Sequence, residues 1–394
     1  MKVIANIKEG NTGRGGHYYS FLEIRNALRA LDGVEVLSVS IGDEVPVPYR
    51  NDDAHKHYYC TLDSIGDVVA SLCLECHAHN VSFLHAYDDV SAYVVSRVCQ
   101  LINLRYLVTK CGGPAAKWYY PTHPNMVVFH QDDFSRYKKQ NKHENNVWLL
   151  PGRVAAYSPQ SIERERLSPS ALHQDAFKVV RIGRIGETYK KAIMQAIFLV
   201  KELNKAGFRS TLSVIGYVES SEVLGELHQV ADDSVSFHTD EQTTRNASDH
   251  LRDFDAVVAT GRGAQEAFSA SKVVFAPILD DEHPQLVDEL NFDYFMASNF
   301  SLRVRKNDLS SKYLDLDELI DEVRTLDRER YFRWQSYVFQ SLFSVGKTAN
   351  SLREIYKLNL PGPTIFIKIH CLLWFKIYRM AKRIRGSNFH LTQL

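Results

Sequence analysis

Two apolar, β-branched runs, each closed by a glycine-containing turn and followed by a helix-like segment, constrain this chain more than any other feature. The first is Phe177–Ile182, continued by Gly183-Arg184-Ile185-Gly186 and a charged stretch holding Lys190 and Lys191. The second is Ala256–Ala259, continued by Thr260-Gly261-Arg262-Gly263 and a helical pattern from Ala264 to Ala270. A strand that stops at glycine and hands over to a helix is how a doubly wound α/β domain presents backbone N–H groups to an anion. Arg184, Lys190 or Lys191, and Glu266 sit where they can hold a diphosphate and a ribose.

The same alternation fills the first half. Lys2–Ile7 predicts a strand, followed by a loop holding Gly10, Gly13, Gly15 and Gly16. Phe21, Ile24, Leu28 and Leu31 then recur at helical spacing. Further strands are expected at Val34–Ile41, Val81–His85, Arg105–Thr109, Met126–His130 and Val147–Leu150, with helices at Ser64–His79 and Val90–Ile102. Strands separated by helices imply parallel pairing with right-handed crossovers. The expected class is α/β, with two Rossmann-like domains facing across a cleft and a C-terminal helical extension. The expected divisions are 1–165 for the first Rossmann-like domain, 166–330 for the second, closing helices over 331–358, and a basic tail over 359–394.

Charge locates the tail. Lysine plus arginine equals aspartate plus glutamate over the whole chain, yet the last forty residues hold seven basic side chains and no acidic one. The body is therefore net acidic. Residues 364–385 mix Ile, Phe, Leu, Trp and Tyr with Lys and Arg, in apolar stretches too short to span a bilayer. They are expected to lie on an anionic membrane surface, with packing back on the body or on a second subunit as the alternative. The six cysteines show no disulfide framework, and Met1 leads straight into a strand pattern. A reducing cytoplasm is expected, with the protein peripheral on the inner face of the plasma membrane. Cys73-Leu-Glu-Cys76 with His77 and His79 lacks a second pair at finger-like spacing, and reads as a helix with partly buried thiols.

The turns after Ile182 and after Ala259 resemble those of GT-B glycosyltransferases, most closely the retaining family 4 group of bacterial polysaccharide enzymes. In that group the first strand of the second domain ends in Gly-Arg, with a lysine a few residues on. The resemblance carries these roles to Gly183, Arg184 and Lys190, with Lys191 as the alternative cation. Two fixed cations stabilise a departing nucleoside diphosphate more than the intact donor. Glu266 matches the second glutamate of the family's Glu–seven residues–Glu segment, and a carboxylate there accepts ribose hydroxyls. Gly261 and Gly263 would let backbone N–H groups approach the phosphates. The first glutamate's place holds Val258, so sugar recognition is expected from Thr260, Arg262, Ala264 or Gln265.

In the first domain, Gly15 and Gly16 resemble the glycine loop over the donor phosphates, and His17 and Tyr18 could face the acceptor. Relatives carry Thr-x-His where this chain has Thr109-Lys110-Cys111, so that role would pass to Lys110, Cys111 or the Gly112–Gly113 backbone. His85, at a strand end, could donate to a sugar hydroxyl or phosphate. Asp88 and Asp89 could cap the next helix.

The resemblance implies retaining transfer from a nucleoside diphosphate sugar, UDP-linked, to a glycan or lipid-linked oligosaccharide, as in O-antigen or capsule assembly. No metal or other cofactor is expected, because neither Asp-x-Asp triplet, Asp253-Phe-Asp255 or Asp315-Leu-Asp317, lies at the phosphate edge. Competing readings are a GT-B-like nucleotide-sugar epimerase and a non-catalytic glycan-binding member. The glycine spacing disfavours a dinucleotide dehydrogenase, and no basic face on the body suggests nucleic acid.

Overall fold

Thirteen strands run through the described residues in two separate sheets. The structure, a computed structural model, describes residues 2–10, 15–61, 64–112, 123–140, 146–157, 176–245, 247–362 and 369–377. It divides into one unit of Met1–Arg153 with Val345–Leu394, and a second of Val154–Ser344. The expected boundary at 165 lies outside the described residues. The closing helices are split between the units at Val345.

In the first unit, seven parallel strands are ordered β3-β2-β1-β4-β5-β6-β7. They are β1 Lys2–Gly10, β2 Val34–Gly42, β3 His55–Tyr59, β4 Val81–Ala86, β5 Arg105–Lys110, β6 Asn125–Val128 and β7 Asn146–Leu149. Ile4 and Ile7 of β1 and the apolar residues of β4 and β5 are buried on both faces, as a parallel sheet covered by helices requires. Ile65–Ala78 and Asp89–Ile102 cover one face. Cys76 and Cys99 point into that layer, where burial pushes the Cys76 thiol up to about 12. Asp88 caps the second of these helices by accepting from the Ser91 amide at 2.7 Å.

Gly16–Arg29 covers the other face together with Val345–Ile355, whose Val345, Ala349, Leu352 and Ile355 meet Tyr18, Phe21 and Ile24. Each of the larger of these side chains contributes about 2 kcal/mol on burial, enough together to hold the returning C-terminal segment on the first unit. The preceding helix, Arg328–Val338, ends in a π-turn over Phe339–Phe343, where the chain leaves the second unit.

Residues 369–377 form a two-faced helix on the first unit. Cys371, Trp374 and Phe375 are buried, with Phe375 stacked on Tyr93 at 4.4 Å. Ile369, Leu373 and Ile377 stay exposed on the other side. The described part of the tail thus packs back on the body through one face and leaves the other exposed. The basic residues beyond 377 lie outside the described residues, and no described helix is long and apolar enough to cross a membrane.

The second unit has six strands ordered β10-β9-β8-β11-β12-β13, all parallel except the last pair. They are β8 Phe177–Ile182, β9 Ser210–Ile215, β10 Val235–His238, β11 Ala256–Val258, β12 Val273–Ala276 and β13 Gln285–Leu286. Glu187–Lys205 packs on one face and Arg262–Ser269 on the other. Asp255 and Asp315 do structural work here. Asp255 accepts from the Lys178 amide near the start of β8, and Asp315 forms a capping box with Glu318.

Candidate functional site

In the second sheet the chain steps from β8 to β9 on one side and from β11 to β12 on the other. The point where direction reverses lies between β8 and β11, and ligands of doubly wound sheets bind outside the carboxyl ends of strands at such a point. The Gly183–Arg184 and Thr260–Gly261 turns leave those two strand ends. Sequence reasoning chose both turns, and the topology makes them neighbours.

The first turn runs beside the loop after β9. Gly183 donates to the Ile215 carbonyl and Ile185 to the Tyr217 carbonyl, each at 3.0 Å. Gly216 permits this approach, because a Cβ there would lie 1.7 Å from the Gly183 carbonyl oxygen. Gly216→Ala should therefore push the site turn out of place and cost about 3 kcal/mol, at the upper end of overpacking effects. A melting temperature equal to wild type would contradict the close approach. Nothing local in the sequence singles out Gly216.

The cations at this edge differ in how they are compensated. Arg184, about a quarter exposed, pairs with Glu219 at 2.6 Å, donates to the Tyr189 hydroxyl at 2.8 Å and lies over the Tyr189 ring. Lys190 is turned to the Ser221–Val230 helix, where it pairs with Glu226. This corrects its assignment as a free second cation: its ammonium is already paired with a carboxylate of the neighbouring helix. Lys191, one residue on, bonds the Leu279 carbonyl beyond the end of β12. That loop is pinned by Gln195, one turn further along the same helix, which donates to Ile278 and Asp281 carbonyls at 2.8 and 2.9 Å. An ammonium on one neutral carbonyl keeps its full charge and further donors.

Sequence reasoning missed Arg181, which is 1% exposed. It donates to the Val258 carbonyl at 3.0 Å and to Thr260 Oγ1 at 3.1 Å, tying the end of β8 to the turn after β11.

Gly261 has φ +57° and ψ −125°, a conformation that side chains resist, and donates to the Asn299 carbonyl at 3.0 Å. Gly263 donates to the Thr260 carbonyl at 3.1 Å. Both amides expected to meet phosphate are thus already hydrogen-bonded, Gly261 to Asn299 and Gly263 within the turn. A Cβ on Gly263 would meet nothing within 4 Å, so there is open space beside this residue. Glu266 accepts from Arg262 Nε at 2.7 Å, and both are partly exposed. Ala264 and Gln265 are buried, which corrects their expected place in sugar recognition. Val258 is buried in β11 and offers only its backbone. Thr260, Arg262 and Glu266 are the side chains of this turn that reach its surface.

The first unit corrects three expectations. His85 is fully buried, with Nδ1 2.7 Å from the Tyr356 hydroxyl and Nε2 2.7 Å from Thr109 Oγ1. Both ring nitrogens are engaged, and burial lowers its pKa to about 3, so it is a core histidine with nothing left to offer a substrate. Tyr18 is likewise inside the core, and its carbonyl accepts from Tyr49. Lys110 donates to the Gly112 carbonyl at 2.7 Å and faces the buried Asp133 at 3.3 Å. Asp133 also lies 3.0 Å from His130, a cluster that sequence reasoning did not anticipate.

Gly15 precedes the Gly16–Arg29 helix, Gly16 is exposed, and the His17 ring folds back beside Tyr18 at 4.2 Å. Cys111 is half-buried against the core, and Gly112 has φ +81°. Gly113 and the loop 11–14 lie outside the described residues.

Two doubly wound units in one chain, with these strand orders, make the architecture that of the GT-B glycosyltransferases. A glycosyltransferase from Rickettsia africae is 12% identical, with a TM-score of 0.63 over 90% of this chain and 98% of its own. The Anabaena protein HepE, solved with UDP, is 12% identical, with a TM-score of 0.60 over 90% and 99% of the two chains. A Listeria monocytogenes protein assigned as a UDP-N-acetylglucosamine 2-epimerase is 10% identical, with a TM-score of 0.57 over 93% and 100%. No family model and no curated protein matches the chain.

Proposed function

We propose that this protein is a glycosyltransferase that binds a nucleoside diphosphate sugar, UDP-linked, at the carboxyl edge of the second sheet. The observation that carries the reading is a pair of cations at the topological switch point, Arg184 on the turn after β8 and Lys191 in the helix that follows it, with the Glu266 carboxylate in the helix after β11. The positive side chains and the start of the Arg262–Ser269 helix favour a diphosphate, and charge that grows on the leaving group favours its departure. The same role requires no bound metal. Similarity of fold to HepE, which was solved with UDP, supports uridine as the base.

Transfer with retention follows from the resemblance of the Gly183-Arg184 and Glu266 segments to family 4. The leaving phosphate oxygen would then take the acceptor's proton on the same face as attack, so no side-chain base is needed. The proposed acceptor is a glycan hydroxyl, carried on lipid at the cytoplasmic face of the membrane as in surface polysaccharide assembly. The exposed row Ile369, Leu373 and Ile377 beside a basic tail supports that placement. The protein should sediment with vesicles containing anionic lipid and not with neutral ones. Replacing the three apolar residues by serine should abolish the difference; equal binding to both vesicle types would refute the lipid placement.

Incubation with a panel of UDP-sugars and lipid-linked glycans tests the activity itself. The expected result is acceptor-dependent release of UDP. The Listeria neighbour favours a second reading, epimerisation, which would show as isomerised sugar nucleotide without any acceptor. A folded protein that neither binds nor consumes any sugar nucleotide would refute both.

A further inference from the structure

We propose that Arg181 is a positioning residue for the ligand's diphosphate: it clamps the Thr260 turn to β8 and supplies an uncompensated positive charge beneath the Gly183–Arg184 turn. This rests on the nucleoside diphosphate reading of the same edge. The guanidinium is buried, and its Nε has no hydrogen-bond partner. A Cβ built on Gly183 would lie 3.4 Å from its Nη2, so the group sits directly against the site turn. Its two acceptors, the Val258 carbonyl and the Thr260 hydroxyl, are both neutral. Among the described residues no carboxylate pairs with it.

The contrast with the other unit sharpens the point. Arg25, comparably buried, is given Asp52 as a counter-ion. A buried charge held only by neutral acceptors costs more than its hydrogen bonds return, and burial lowers the Arg181 pKa to about 10. An arginine kept at that cost, under the turn that meets an anion, completes its ion pair when the ligand arrives. Water screens such a buried charge poorly, so its attraction for a diphosphate extends beyond contact distance.

The test is calorimetric binding of UDP and of uridine to wild type, Arg181→Met and Arg181→Lys, at low and high salt, with melting temperatures. Arg181→Met is expected to bind UDP at least about tenfold more weakly. Its uridine affinity should be unchanged and its melting temperature equal to or above wild type. The UDP deficit should persist at high salt, because a buried charge is little screened. Arg181→Lys, which keeps the charge, should retain most of the UDP affinity, and it carries the test if the Met variant does not fold.

Wild-type affinity for UDP with Arg181→Met matching it would overturn the role of Arg181 and leave the site reading standing. Parallel loss of UDP binding, uridine binding and stability in Arg181→Met would also overturn it, by making the residue purely structural, as would a folded Lys variant that binds UDP no better than uridine. Wild-type protein that itself binds UDP no better than uridine would instead defeat the nucleoside diphosphate reading.

Discussion

Acidified from neutrality to about pH 4, the first unit should unfold. His85 and His123 are fully buried there, and burial lowers both to about 3; the neighbouring His370 also lowers His123. His55 is lowered to about 4, by burial first and then by the Arg25 charge. An unfolded histidine titrates near 6.5. The folded values lie below that, so the unfolded chain takes up protons first as pH falls. The stability these groups contribute is present above about pH 6.5 and is lost as pH falls toward their folded values.

At about pH 4 the two fully buried imidazoles together account for roughly 6 kcal/mol, and His55 adds to it. That is comparable to the whole stability of an ordinary domain. The second unit has one buried imidazole of this kind among its described residues, His283. Hydrogen exchange read by mass spectrometry between pH 7 and pH 4 should show β4, β5 and Val345–Ile355 opening before β8 and β9. His85→Gln, which keeps a donor and an acceptor but does not titrate, should shift the midpoint to lower pH. If the second unit opens first, burial of these imidazoles is not what governs acid stability.

Arg184→Ala should reduce sugar transfer about 10²- to 10³-fold, the usual cost of removing one group aimed at developing charge. Its pair with Glu219 is partly solvated, so the same substitution should change stability by about 1 kcal/mol or less. The two neighbouring lysines then separate the structural argument from the sequence pattern. Lys191→Ala should weaken UDP binding, whereas Lys190→Ala, whose ammonium is paired with Glu226, should leave it nearly unchanged. The reverse order would return the second cation to Lys190 and discard the geometry described for this edge.

Much of the architecture could be read from the chain because its strands are apolar, β-branched and punctuated by glycine. β3 escaped notice, and the reason is chemical. Its His55 and His57 meet Ser38 and Ser40 of β2 through hydrogen bonds of 2.7–2.8 Å, so a polar pattern does what an aliphatic one does elsewhere. Arg181 was hidden for the opposite reason, since one cation in Val179-Val180-Arg181-Ile182 reads as an interruption of a strand. His85 looked available at a strand end, because sequence does not show that Tyr356 returns from the far end of the chain to cover it.

By itself the sequence determined the alternation of strands and helices, the glycine turns at Gly183 and Gly261, and the net charge of the tail, all of which depend on neighbours a few residues apart. Only the tertiary structure decided which lysine faces the carboxyl edge, that Arg181 lies without a counter-ion under the site, and that His85 belongs to the core. Those outcomes depend on burial and on partners up to 271 residues away, and local periodicity carries no information about either.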